Sequence, residues 1–260
     1  MRYLRSILLV FLSVCIVFSV IAFDGANVSA SQEGVGLHKD LKYIKSVDSY
    51  IMYLELESES NQEAREVLNQ FLSLSREQQE AFIKVLQPDI YIEVLNEAIE
   101  MAEKGVGEFD LNVDDIIIPI KSSYGVALTD PVDGQLTLLS SNEKTVTASE
   151  KLYIFNINTT TLYTMIDFNH NGSSATRVLD VRQSHKNWNP GVWVSPQGTN
   201  NGYISGGYAF GRGTWKLHAT GALGALSSTI HLHVKANNKN RYKKLESTHF
   251  NIKGYDWRAF

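Results

Sequence analysis

Residues 167–172 read Asp-Phe-Asn-His-Asn-Gly, the order of side chains that opens a calcium-binding loop. In such a loop, oxygen ligands at alternate positions wrap the ion and the glycine permits a sharp bend. The complete motif also needs a glutamate at its twelfth position, where this chain has Val178. Two interpretations therefore stand, a calcium site formed by Asp167, Asn169 and Asn171, or a hairpin turn without an ion.

His231 and His233 form a second pattern that metal sites use. Residues two apart on a strand point to the same face, and imidazole is a common ligand of zinc. A zinc site would need a third ligand, for which His218 and His249 are the candidates. The alternative is a pair of solvated histidines on the polar face of a sheet.

Cationic and aromatic residues of the C-terminal region suit a third kind of chemistry, the binding of polymers. Closely spaced cations attract anionic polymers, and exposed aromatic rings stack on flat ring systems. The residues that we expect to bind such a ligand are Lys239, Arg241, Lys243, Lys244, Trp188 and Trp193. The same region contains a wider aromatic set: Tyr203, Tyr208, Trp215, Tyr255, Trp257 and Phe260.

Catalytic patterns are poorly represented. The chain has no G-x-S-x-G, H-E-x-x-H, P-loop or G-x-G-x-x-G motif. Glycoside hydrolysis needs two carboxyl groups across a cleft, and residues 151–260 supply only Asp167, Asp180, Glu246 and Asp256. We therefore expect a protein that is not an enzyme, and a secreted hydrolase of glycan or cell wall is the alternative.

The overall composition is that of a folded protein. The chain has 260 residues, of which 43% are hydrophobic, with 24 basic and 28 acidic residues. This balance excludes a wholly disordered chain. Cys15 is the single cysteine, which excludes an intramolecular disulfide and a thiolate metal cluster.

Residues 1–30 have the features of a secretory signal peptide. Arg2 and Arg5 precede an apolar run over 7–22, and Val28-Ser29-Ala30 offers the small residues that the peptidase needs. The run is shorter than the roughly 20 residues that span a membrane. We expect cleavage near Ala30 and a secreted, cysteine-free mature chain of bacterial type; an uncleaved N-terminal anchor is the alternative.

The region 31–108 is acidic and predicts helices. Residues 31–105 contain seven basic and fifteen acidic residues, and apolar side chains recur at spacings of three and four. Ser60 and Ser75 each stand three residues before a glutamate or glutamine, the pattern of a capping box. Pro88 suits a first helical position and Gly105 a C-cap. We expect three or four amphipathic helices.

The region 109–260 is basic and predicts antiparallel strands. Residues 151–260 contain thirteen basic and four acidic residues, together with all four tryptophans. Asp133-Gly134 is a favoured hairpin turn. Strand-like segments with β-rich composition or alternating polarity include 151–157, 162–168, 177–181, 191–194, 215–219 and 230–234. The predicted fold class is α+β, with an N-terminal helical region followed by an antiparallel β-sandwich or barrel-like domain.

These features predict a secreted, non-catalytic binding or effector protein that acts at a bacterial cell surface on an anionic or glycan polymer. The opposed charges of the two regions suggest a further hypothesis, in which the helical region is a pro-region that masks the β domain. We expect no nucleic-acid partner, and no cofactor beyond the calcium or zinc considered above. Peripheral contact with membrane headgroups is a further interpretation of the basic stretch.

Overall fold

A computed structural model describes residues 45–123, 137–140, 142–221, 224–248 and 254–260. The described residues belong to one compact unit, Gly34–Phe260. The predicted signal peptide and the predicted turn at Asp133-Gly134 lie outside the described residues, and so does His249.

Helices come first in the described part of the chain. They are α1 (Val47–Ser58), α2 (Gln62–Leu72), α3 (Arg76–Val85) and α4 (Pro88–Glu103).

The helix ends follow local sequence signals, with one correction. The predicted capping box at Ser75 is confirmed, because the Ser75 hydroxyl accepts the Gln78 N–H and the Gln78 side chain accepts the Ser75 N–H. The predicted box at Ser60 is wrong: α2 begins one residue later, and Asn61 Oδ1 accepts the Glu63 N–H at 2.9 Å. Asparagine caps a helix as well as serine does, so the two neighbours compete for one position.

Strands follow the helices. Those in the described residues are β1 (Glu108–Val113), β2 (Ile116–Ser122), β3 (Thr137–Ser140), β4 (Glu143–Ile154), β5 (Ile157–His170), β6 (Ala175–Asn187), β7 (Val192–Thr199), β8 (Tyr203–Ser205), β9 (Tyr208–Gly221), β10 (Gly224–Ala236), β11 (Arg241–Ser247) and β12 (Tyr255–Ala259).

The strands form two antiparallel sheets, so the chain is an α+β protein with helices ahead of a mostly β region. The N-terminal sheet has the order β1-β2-β4-β5-β6, and β3 pairs with β4. The C-terminal sheet has the order β12-β11-β10-β9-β7, and β8 pairs with β9. Pairing is between strands that are neighbours or near neighbours in sequence, as hairpin-built sheets require.

Two-residue turns explain where the prediction of strands differs from the structure. The predicted strand at 151–157 is broken by Phe155-Asn156, whose φ angles are 49° and 63°. Asp114-Asp115 joins β1 to β2 in the same way, with φ angles of 50° and 64°. Positive φ at both central residues matches the twist of paired strands, although neither turn contains the glycine that usually signals it.

Helices and sheets share one hydrophobic core. Ile166 of the N-terminal sheet, Trp215 of the C-terminal sheet and Phe82 of α3 belong to the same buried cluster. Thr164 Oγ1 donates a hydrogen bond to the Leu232 carbonyl at 2.9 Å, which joins the two sheets inside the core. Burial of this kind is the main stabilising term of a fold.

The helices contact one end of the sheets. The Tyr50 hydroxyl donates to the Trp188 carbonyl at 3.0 Å, and the Tyr91 hydroxyl is 2.6 Å from Thr160 Oγ1. The hairpins at the other end contact each other, since Asn238 Nδ2 donates to the Gly172 carbonyl. The long strands, of 12 to 14 residues, therefore run from the end of the sheets that contacts the helices to the opposite end.

Candidate functional site

The C-terminal sheet has one buried face and one partly exposed face. Along β9, Ala209, Gly211 and Trp215 point into the core, whereas Phe210 and Arg212 point outward. Along β10, Leu232 and Val234 are buried and the residues between them are half-buried. This alternation follows from the two-residue period of a strand, and it places polar and aromatic side chains together on the outer face.

Five aromatic rings meet on this outer face, near the hairpin end, and we call them the aromatic face: Tyr203, Tyr208, Phe210, Tyr242 and Trp257. Tyr203 stacks on Phe210, with centroids 4.9 Å apart and rings within 1° of parallel. Trp257 meets Phe210 edge to face at 5.8 Å, and Tyr208 meets Tyr242 at 6.1 Å. Both arrangements are favoured by the charge distribution of aromatic rings.

Lys235 lies in the middle of the aromatic face. Its Nζ is 4.6 Å from the ring centre of Tyr208, 5.3 Å from that of Tyr242 and 5.8 Å from that of Trp257. Within the described residues it makes no ion pair with a carboxylate. Cation–π attraction to several rings therefore holds the ammonium group in place.

Arg212 and two histidines adjoin the aromatic face. Arg212 is the β-sheet partner of His233. His231 precedes His233 by two residues and lies on the same side of β10. The Arg212 Nε is buried and has no hydrogen-bond partner among the described residues. A buried donor without an acceptor is costly, and no carboxylate of the described residues pairs with the Arg212 charge.

The two histidines have different hydrogen-bond partners. His231 Nδ1 is 3.0 Å from the Thr214 hydroxyl, and His233 Nε2 is 2.9 Å from a Glu246 carboxylate oxygen. Burial lowers the pKa of both histidines, and the charge of Arg212 lowers it further against the opposing effect of Glu246. Both rings are therefore biased towards the neutral form, in which one nitrogen can accept and the other can donate.

Lys243 and Trp188, two of the residues predicted to bind a polymer, are buried. Lys243 is 1% exposed, and its Nζ lies 3.1 Å from Glu150 Oε1. Trp188 is buried beside the helices, where its carbonyl accepts the Tyr50 hydroxyl. Neither side chain is available on the described surface, so both belong to the core rather than to a ligand site.

The other four predicted binding residues lie in three separate places. Lys239 and Arg241 line a groove of about 310 Å³ at the hairpin end, beside Tyr242 and Phe260. Lys244 points outward from β11 and pairs with Glu246 at 2.8 Å. Trp193 is 45% exposed. Because Trp193 pairs with His218, eight residues along β9 from Phe210, it lies about 26 Å from the aromatic face.

Two of the three residues predicted as calcium ligands, Asp167 and Asn171, are hydrogen-bonded to protein groups, whereas the buried Asn169 Oδ1 has no hydrogen-bond partner among the described residues. Asp167 accepts the Thr145 hydroxyl at 2.6 Å and an Arg182 nitrogen at 2.7 Å. Asn171 Oδ1 accepts the Ser174 N–H at 3.0 Å and closes the turn that the alternative interpretation predicted. Asp167 and Asn169 lie on β5 rather than on a loop, and the Arg182 guanidinium supplies the positive charge beside Asp167.

His231 and His233 do share a strand face, as the spacing predicts, with ring centres 6.3 Å apart. In the part of the chain that the structure describes, no three side chains of His, Cys, Asp or Glu come together in a way that would hold a metal ion. The carboxyl groups considered for hydrolysis are also engaged, since Asp167 and Asp180 both contact Arg182 and Glu246 contacts Lys244.

Comparison of the chain with models of protein families, with curated proteins and with solved structures gives no match. Among the described helices, none has the length and apolar character needed to cross a membrane.

Phe210 was missed by the sequence analysis. Lys235 and Tyr242 belong to the basic stretch 235–244 from which the predicted binding cations come, but neither was predicted to bind a ligand, and Tyr203, Tyr208 and Trp257 were noted only as members of a wider aromatic set. A signal was present, because Tyr208 and Phe210 alternate with small residues at the start of β9. The strand pairing that brings Tyr203, Lys235 and Tyr242 beside them is not encoded in any local pattern.

Proposed function

We propose that the protein is a non-catalytic binding protein for a surface polymer, and that it binds through the aromatic face. The observation that carries the proposal is the row formed by Tyr203, Phe210, Lys235 and Tyr242, which are successive sheet partners on β8, β9, β10 and β11. Three spacings between neighbouring strands make this row about 14 Å long. A row of rings with a central cation suits an extended ligand that carries ring-shaped units and negative charge.

The exposure of the row supports this role. Tyr203, at one end of the row, is 55% exposed, although aromatic side chains of this size are usually buried. Exposed aromatic clusters on a folded protein commonly mark interaction surfaces. Stacking on an exposed ring needs no further change in the fold, so the ligand can bind to a preformed surface.

The fold that presents this surface is, in our proposal, a β-sandwich with the helices packed at one end. Support comes from the inward side chains of both sheets, which belong to one buried cluster, and from the Thr164–Leu232 hydrogen bond between the sheets. Sheets that pack face to face leave their other faces free for ligands.

We further propose that the helices stay attached to the sheets in the active protein. Tyr50 and Tyr91 are fully or almost fully buried and bond to the β region, which favours retention over the masking hypothesis. Secretion, with a signal peptide removed near Ala30, would place this binding surface outside a bacterial cell. The ligand would then be an anionic or glycan polymer of a cell envelope.

Sedimentation with isolated Gram-positive cell walls tests the proposed function. The mature chain starting at Ser31 is mixed with walls at low and at high salt, and the bound fraction is measured. We expect binding at low salt that falls by about tenfold when Tyr203 and Tyr242 are both changed to alanine. Trp193→Ala is the matched control, because it removes an exposed ring of the same sheet away from the aromatic face. Equal binding by all three proteins, or no binding at low salt, would overturn the proposal.

A further inference from the structure

We infer that the ligand of the aromatic face is an acidic polysaccharide, whose carboxylate is held between Arg212 and Lys235. This inference rests on the proposed function and adds the class of ligand and the residues that select it. It depends on which cations of the β region have no carboxylate partner among the described residues, and on the side chains that surround those cations.

Most cations of the β region already have partners. Lys243 pairs with Glu150, Arg182 with Asp167 and Lys186 with Glu63. Lys244 pairs with Glu246, and hydrogen bonding to this carboxylate raises the pKa of Lys244. These four cations are therefore neutralised locally, and a ligand would have to use cations that have no carboxylate partner among the described residues.

Arg212 and Lys235 are two such cations, and they adjoin each other. Neither makes an ion pair within the described ranges, and Arg212 Nε has no acceptor at all there. Arg212 is opposite His233 and Lys235 is opposite Phe210, so the two cations are diagonal neighbours on β9 and β10. The backbone positions of diagonal neighbours lie about 7–8 Å apart, so the long side chains of Arg212 and Lys235 can each reach one oxygen of the same carboxylate.

The rings beside these cations fit sugar units. The C–H-bearing face of a pyranose is apolar and packs on an aromatic ring, while its hydroxyl groups reach polar neighbours at the ring edges. The stacked pair Tyr203 and Phe210 lies on one side of Lys235, and Tyr242 lies on the other. If an acidic sugar binds at Lys235, the sugars that flank it in the polymer would therefore contact aromatic rings on both sides.

The charges around the row favour a polysaccharide over a nucleic acid. Single-stranded nucleic acids carry a phosphate on each nucleotide and need a continuous basic groove. Here Glu246 and Asp256 lie beside Lys244 and interrupt the positive surface next to the row. One pair of adjoining cations among rings and carboxylates suits a polymer that is held mainly through the apolar faces of its sugars and through a single carboxylate.

A pair of matched polymers provides the test. Polygalacturonate carries a carboxylate on each sugar, and fully methyl-esterified pectin has the same backbone with those carboxylates neutralised. Binding of the mature chain to each polymer is measured by affinity electrophoresis at low salt, with oligothymidylate as a third probe. We expect polygalacturonate to bind about tenfold more tightly than the ester, because only it can use the two cations.

Variants assign the effect to the two cations. Arg212→Gln with Lys235→Gln should remove the preference for polygalacturonate, so that the variant binds the acid and the ester with similar, weak affinity. Lys216→Gln is the matched control, since it changes an outward cation of β9 that lies two outward positions beyond Arg212. Circular dichroism of each variant confirms that the fold is retained.

The outcomes separate the inference from the proposed function. Equal binding of both polymers, unaffected by the double variant, would overturn the inference while polymer binding through the rings stands. Binding of oligothymidylate alone would identify a nucleic acid and overturn it as well. If neither polysaccharide nor cell walls bind, the inference and the proposed function fail together.

Discussion

Lys243 and Glu150 form an ion pair inside the protein, with Nζ 3.1 Å from Oε1 and side chains that are 2% and 0% exposed. The pair joins β11 of the C-terminal sheet to β4 of the N-terminal sheet. The Lys243 ammonium also donates to the carbonyls of Ser123 and Ser149, and the Tyr255 hydroxyl donates to Glu150. Both charges of this pair are thus compensated within a buried part of the core.

Removing one member of this pair should destabilise the protein strongly. Lys243→Met leaves Glu150 charged and buried, and we expect a loss of about 3–5 kcal/mol in the free energy of unfolding. Urea denaturation measures this loss. Adding Glu150→Leu to the same protein should recover part of it, because no buried charge remains unpaired.

The control for this prediction is Lys239→Met, at an exposed hairpin position, which should change the free energy of unfolding by less than about 0.5 kcal/mol. A loss for Lys243→Met as small as that of the control would show that the pair is not formed.

Helices and sheets should unfold together. Tyr50 and Tyr91 tie α1 and α4 to the β region through buried hydrogen bonds, and the two parts share a core. We expect the urea transitions followed by far-ultraviolet circular dichroism and by near-ultraviolet aromatic bands to coincide. Tyr50→Phe should move both transitions to lower urea by the same amount, because it removes one such bond at a cost of about 1 kcal/mol. Earlier loss of the helical signal would contradict the shared core.

Acid should destabilise the ligand-free protein through its histidines. Burial lowers the pKa values of His231, His233 and His185 in the folded state. The unfolded chain therefore takes up more protons just below its own histidine pKa of about 6.5, and stability falls as the pH decreases through that value. Thermal denaturation between pH 7.5 and pH 5.5 should show a falling Tm, and the fall should be smaller in His231→Gln/His233→Gln. If Tm falls with decreasing pH as steeply in that variant as in the unchanged protein, the loss of stability arises from groups other than His231 and His233.

Gly213 leaves no room for a side chain on the inner side of β9. A β carbon at this position would lie 2.5 Å from Trp215 Cη2 and 2.7 Å from Thr164 Oγ1. Gly213→Ala should therefore lower the free energy of unfolding by about 1–3 kcal/mol, as overpacked cores do. Lys216→Ala, on the outer side of the same strand, should have little effect in the same denaturation experiment.

Helix starts were predictable from the sequence where they depend on residues that are close together along the chain. The Ser75 capping box and the start of α4 at Pro88 involve contacts within one helical turn, so the local pattern was sufficient. The Ser60 box failed because Asn61 offers an equally good cap one residue later. Adjacent competitors differ by a fraction of a kcal/mol, which the pattern alone cannot resolve.

The candidate site was less accessible to prediction because strand position decides it. Lys243 and Lys244 are adjacent in sequence, yet one is buried against Glu150 and the other faces outward. A cluster of lysines therefore indicates a cationic surface only if the strand register is known. The aromatic face depends on pairing among β8, β9, β10, β11 and β12, which is set by the whole sheet.

Trp257 gives the protein an intrinsic optical reporter of its own surface. The indole touches Phe210 and His233, whereas Trp188 and Trp215 are enclosed in the interior. With the exposed Trp193 replaced by phenylalanine, fluorescence from the Trp257 indole will respond to whatever displaces water from its ring, while the enclosed pair supplies a constant background. Ligands can thus be screened with the unlabelled protein, by titration alone.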